Sequence, residues 1–180
     1  MPANKQWMVK QWRGAVMVAL MLGWGTLEAQ AGTLDPSLEA GVSSEDSPTL
    51  TLGLHHSVTP LPWLSSEWQS WSLQLSGRLL LLPGRNSEKS NAALVLAPAL
   101  RYTFAGGTFI EGGVGAAIFL EAHLRDSEFG TAGQFEDRLA IGRPWGPGAL
   151  QLALAHYSNA SIKQPNDGLE VLSLGYRWRL

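Results

Sequence analysis

Along most of this 180-residue chain, apolar side chains recur at every second position, the period of strands whose two faces meet different surroundings. From Trp71 the odd positions carry Trp71, Leu73, Leu75, Leu79 and Leu81, against Ser70, Ser72, Gln74, Ser76 and Arg78. Leu50, Leu52 and Leu54 alternate with Thr49, Thr51 and Gly53. Leu94, Leu96, Leu100, Tyr102 and Phe104 alternate with Ala93, Val95, Ala97, Arg101 and Thr103. Ile110, Val114, Ile118 and Leu120 oppose Glu111, Gly113 and Gly115; Leu150, Leu152 and Leu154 oppose Gln151, Ala153 and Ala155. The final run sets Leu172, Leu174, Tyr176, Trp178 and Leu180 against Ser173, Gly175, Arg177 and Arg179.

Seven breaks rich in Gly, Pro, Ser, Asn or Asp separate these runs, at 43–48, 60–67, 83–90, 105–107, 122–133, 143–148 and 160–168, and so predict eight strands. The segments run to about 9 to 14 residues, longer than the roughly 5 to 6 of soluble sheets and close to what a tilted strand needs to cross a bilayer. Ahead of them, Lys5, Lys10 and Arg13 precede the apolar run 14–25, and Ala29-Gln30-Ala31 follows. That order predicts a secretory signal peptide over 1–31, cleaved after Ala31, with the mature domain over 32–180. The apolar run is too short for a spanning helix, and no later stretch reaches the length of one.

Zero cysteine excludes a disulfide scaffold, a thiolate metal site and a cysteine nucleophile. Taking Lys5, Lys10, Arg13 and Glu28 away with the leader leaves 10 basic and 14 acidic residues and no basic block, which argues against nucleic acid as a partner. Two architectures fit the alternation: a soluble lipocalin-like barrel with an apolar core, and an outer-membrane barrel with its apolar face in lipid. The polar face favours the second. It is mostly Ser, Thr, Gly and Ala with single charges at Arg78, Arg101, Glu111, Glu136, Arg138 and Arg177, a composition suited to a narrow, side-chain-filled interior with paired charges. Trp63, Trp68, Trp71, Tyr102, Phe104, Tyr176 and Trp178 gather at segment ends, as interfacial aromatics do. The expected fold is therefore all-β, an eight-stranded antiparallel transmembrane β-barrel.

His156 and Ser158 continue the outward register of Leu150, Leu152 and Leu154, and Glu170 shares the outward parity of Leu172 and Leu174 across one turn. Polar groups on a lipid face are costly, so three converging at one rim point to function. A serine nucleophile needs a base and a carboxylate to orient that base, which His156, Ser158 and Glu170 supply on neighbouring strands. With both termini in the periplasm, the seventh strand ends at the outer leaflet. Rim-level polar groups also bind water without doing chemistry, so spacing alone leaves catalysis open. The His55-His56 pair lacks a third ligand at compatible spacing, and no metal site is expected. His123, beside Glu121, Asp126 and Glu128, reads as a solvated loop.

The stretch His156-Tyr157-Ser158-Asn159-Ala160-Ser161-Ile162-Lys163-Gln164-Pro165-Asn166-Asp167-Gly168-Leu169-Glu170 closely resembles the signature of the outer-membrane lipid A 3-O-deacylases of PagL type. The segments 135–142 (FEDRLAIG) and 110–115 (IEGGVG) are similar to two preceding family segments. The resemblance implies hydrolysis of the ester-linked 3-hydroxyacyl chain at position 3 of lipid A, without a cofactor. Ser158 would be nucleophile, His156 base and Glu170 orienter. It also implies lipopolysaccharide as substrate and an integral outer-membrane position with the active site toward the outer leaflet. Asn159 is expected to help stabilise the oxyanion, with Asn166 arranging the loop. Self-association as a homodimer is left open, as are acyl transfer on the same substrate and a non-enzymatic structural or adhesive barrel.

Overall fold

The computed structural model describes residues 34–58, 70–84 and 89–179, within a compact unit spanning Gly32–Leu180. Eight strands of 10 to 13 residues close one antiparallel barrel: β1 (Leu34–Ser43), β2 (Pro48–Val58), β3 (Trp71–Leu82), β4 (Asn91–Thr103), β5 (Phe109–Phe119), β8 (Gly133–Trp145), β9 (Gly148–Ser158) and β10 (Leu169–Trp178). Their order is β1-β10-β9-β8-β5-β4-β3-β2, with β1 and β2 paired to complete the ring. Closure leaves no strand edge unpaired, the condition for a sheet to stand in hydrocarbon. Each described connection overlaps its predicted break, but the strand from Gly133 runs on to Trp145, so the 143–148 break narrows to 146–147. The 60–67 break, Trp63, Trp68, Leu180 and the leader lie outside the described residues.

Parity resolves into two faces. Leu52, Leu54, Leu94, Leu96, Ile118, Leu139, Leu152, Leu154, Leu172 and Leu174 are exposed on the outside, while Thr51, Val95, Ala97, Ala153, Ala155 and Ser173 are buried within. The interior charges pair as their composition suggests. Arg78 grips Glu136 bidentately, Nη1 donating to Oε1 at 2.9 Å. Arg101 donates to Glu111 Oε2 at 2.7 Å, and Arg177 stands 3.5 Å from Glu111 Oε1. Arg138 donates to Glu39 at 2.8 Å, and Glu39 also accepts from Gln151 and Ser173. Glu39 was not singled out in the sequence, because β1 shows its alternation only faintly between Asp35 and Gly41.

The interior is not polar throughout. At the end where β9 finishes, Leu80, Leu82, Ala117, Phe119, Tyr157, Leu169 and Val171 form an apolar plug with Leu124 and Phe129. Leu124 begins a correction to the expected loop around His123. The segment folds as a small hairpin, β6 (His123–Leu124) with β7 (Ser127–Glu128), which turns Leu124 and Phe129 inward while His123 stays exposed. The opposite end carries the aromatics: Trp71 packs on Tyr102, Tyr102 on Phe104, and Tyr176 on Trp178, with ring centroids 4.9 to 5.1 Å apart. His55 is buried and accepts or donates one bond with Ser37, whereas His56 lies on the other face, so the two imidazoles do not converge.

Candidate active site

Register brings the three expected residues together on the outer wall. Glu170 on β10 lies directly opposite His156 on β9, and the pair is the close kind whose main-chain groups face away from each other. His156 Nδ1 lies 3.0 Å from Glu170 Oε1. That contact commits one ring nitrogen and leaves Nε2 for Ser158, two residues on along the same face. No hydrogen bond joins His156 to Ser158 in this geometry. The ring and the carboxylate are 42% and 52% exposed, so the constellation opens outward from the wall and not into the interior. Gly168 shapes the approach. Its φ of +78 is in the left-handed region that glycine tolerates, and a β-carbon there would stand 3.0 Å from His156 Cε1.

Between Ser158 and Glu170 the chain makes a strained loop. Ala160 and Ser161 both have positive φ, at 53 and 62, and Ile162 N–H donates back to Asn159 O at 3.0 Å. Asn159 is the buried strut of this loop. Its amide Nδ2 donates to Phe129 O and to Lys163 O, each at 2.7 Å, and its main-chain N–H donates to Asn166 Oδ1 at 2.9 Å. In this geometry Asn159 has no donor left for an oxyanion, which departs from the sequence expectation. Asn166, by contrast, anchors through its oxygen, which leaves its Nδ2 hydrogens uncommitted.

Two further features escaped the sequence reading. Asp137 on β8 lies opposite His156 on the side away from Glu170. It is exposed on the outward face between Phe135 and Leu139. The signal was available, since Asp137 breaks the apolar parity of Phe135, Leu139 and Ile141 as His156 breaks that of β9. The second is a groove of about 560 Å³ on the outer wall. Its lining includes Leu172, Leu154, Leu139, Gly112, Ile110 and Leu100, so it begins one pleat from Glu170 and His156 and crosses β8 toward β4. Gly112 leaves the notch in its floor, since a β-carbon there would already stand 3.2 Å from Leu139 Cδ2.

Residues 49–179 match the family model described as lipid A 3-O-deacylase (PagL). The chain belongs to this family. It is 34% identical over 157 residues to the lipid A deacylase PagL of Pseudomonas aeruginosa, covering 83% of this chain and 88% of the relative. It is 29% identical over 174 residues to lipid A deacylase PagL of Bordetella bronchiseptica, covering 91% and 93%. A solved structure described as the crystal structure of the outer membrane enzyme PagL superposes with a TM-score of 0.72 at 31% identity, covering 81% of this chain and 99% of the other. Family and fold together place the barrel in the outer membrane, with its leucine-rich wall toward lipid.

Proposed function

We propose that the protein hydrolyses the ester-linked 3-hydroxyacyl chain at position 3 of lipid A, with Ser158 as nucleophile, His156 as general base and Glu170 as orienter of the imidazole. The observation that carries this reading is the 3.0 Å contact between His156 Nδ1 and Glu170 Oε1 on the lipid side of the barrel, beside a serine in the same register. Glu170 holds the tautomer whose Nε2 can accept the Ser158 proton. Ser158 Oγ then attacks the ester carbonyl, and the tetrahedral oxyanion forms with Asn166 Nδ2 as its donor. Collapse breaks the bond to the sugar oxygen, which takes the proton from His156. Water, deprotonated by His156, attacks the acyl-serine; the acyl–Oγ bond breaks, Ser158 Oγ takes the proton back from His156, and the 3-hydroxy fatty acid is released.

The groove gives the acyl chain its path. A chain leaving Ser158 for Leu154, Leu139 and Gly112 passes Asp137, whose carboxylate has no hydrogen-bond donor among the described residues. A carboxylate in apolar surroundings needs a donor, and a hydroxyl at the third acyl carbon supplies one close to the reacting ester. The rim supports an outer-leaflet site. Three of the four connections at the triad's end, 83–90, 120–132 and 159–168, are long and 44–47 is tight, whereas 104–108 and 146–147 at the aromatic end are short; β1 begins and β10 finishes at that aromatic end, which termini in the periplasm would place on the inner side. Purified protein in detergent micelles, given lipid A, is expected to release 3-hydroxy fatty acid, with Ser158→Ala reducing release to background and His156→Ala reducing it at least about 100-fold. Undiminished release by folded Ser158→Ala would refute the assignment.

A further inference from the structure

Accepting the triad proposed above, we propose that Ser44, in the turn between β1 and β2, is a positioning residue for the deacylation and acts through Glu170. The Glu170 carboxylate is half exposed and, among the described residues, meets only His156, so its place depends on where the backbone of residue 170 is held. In a strand, the N–H and C=O of one residue point the same way. At Glu170 both point toward β1, away from the catalytic strand, and both end on Ser44. Ser44 N–H donates to Glu170 O at 2.9 Å, and Glu170 N–H donates to Ser44 Oγ at 3.2 Å.

The hydroxyl does a carbonyl's work. Regular pairing of β1 with β10 stops at Ser43 and Val171, and the next pair would be Ser44 with Glu170. There the chain leaves the sheet for a tight turn, with Ser43 N–H donating to Ser47 O, Asp46 N–H to Ser43 O, and Ser47 N–H to Ser43 Oγ. The main-chain acceptor that would have met Glu170 N–H is turned away, and the serine side chain replaces it. Ser44→Ala keeps the bond to Glu170 O and loses the one to its N–H. The first turn of the barrel thus fixes the carboxylate of the last strand, across 126 positions of sequence.

The test uses the mature chain folded in detergent micelles, with purified lipid A as substrate and released 3-hydroxy fatty acid as readout. Ser44→Ala and Ser44→Val are each expected to lower kcat about tenfold at unchanged KM, while Ser44→Thr, which keeps the hydroxyl, restores it. In a Glu170→Ala background, Ser44→Ala is expected to cost nothing further, because both changes remove the same positioning. Full activity of Ser44→Ala beside an impaired Glu170→Ala overturns the inference. So does an equal loss in both backgrounds, or failure of both Ser44→Ala and Ser44→Val to show folded-barrel electrophoretic mobility, either of which makes Ser44 merely structural. Activity in Ser158→Ala would instead strike at the triad itself, and this control separates the two failures.

Discussion

Around His156 the sheet presents a carboxylate on each side, Glu170 from β10 and Asp137 from β8, and the two are not equivalent. Glu170 reaches the ring nitrogen; Asp137 has Val114, Phe135 and Leu139 about it, and the proposed reaction gives it the substrate's hydroxyl. Asp137→Leu is expected to lose the preference for 3-hydroxyacyl over plain acyl esters, read as the ratio of their kcat/KM values, by about tenfold or more. An unchanged ratio would exclude it from recognition. The two asparagines divide in the same manner. Asn166→Ala should lower kcat by about 100- to 1000-fold while the barrel unfolds as before, as loss of an oxyanion donor does. Asn159→Ala should instead free the carbonyls of Phe129 and Lys163 and expose 159–168 to protease, with activity falling as the loop loosens.

Among the elements, β9 does two jobs at one place: His156 and Ser158 face lipid while Tyr157 between them faces inward and donates to Glu136 at 2.8 Å. Alternation made this half of the site legible. His156 and Ser158 stood out because they sit where Leu152 and Leu154 set the rule, and Glu170 because Leu172 and Leu174 do. Asp137 followed the same rule, but its strand also carries Glu136 and Arg138, and a run of charges hides which one faces out. The groove was not legible at all, since its floor is an absence at Gly112 that matters only once Leu139 lies beside it. Gly112→Phe is expected to fill the notch and shift cleavage toward shorter acyl chains, measured on a chain-length series. Nor did the hairpin show itself, because Leu124 and Phe129 are lone apolar residues in an acidic stretch. Phe129→Ala, which opens the plug against Phe119, should cost about 3 kcal/mol in urea unfolding of the micelle-bound barrel.

Taken as a whole molecule, the barrel puts its buried ion pairs and the proposed triad on opposite faces of the same strands. The buried ion pairs hold the inside, where a charge left alone is costly: Arg78→Ala strands Glu136 and is expected to cost about 3 to 5 kcal/mol, whereas replacing both by Met and Leu should cost far less. The proposed triad lies on the outer wall, where its half-exposed imidazole and carboxylate are open to a membrane lipid without its entering the barrel. The most direct test is mass spectrometry of lipid A from a Gram-negative host expressing the wild type, Ser158→Ala or neither, at equal outer-membrane levels. The expected result is loss of one 3-hydroxyacyl chain with the wild type alone; lipid A unchanged by well-folded wild-type protein, or equally shortened by Ser158→Ala, would contradict it.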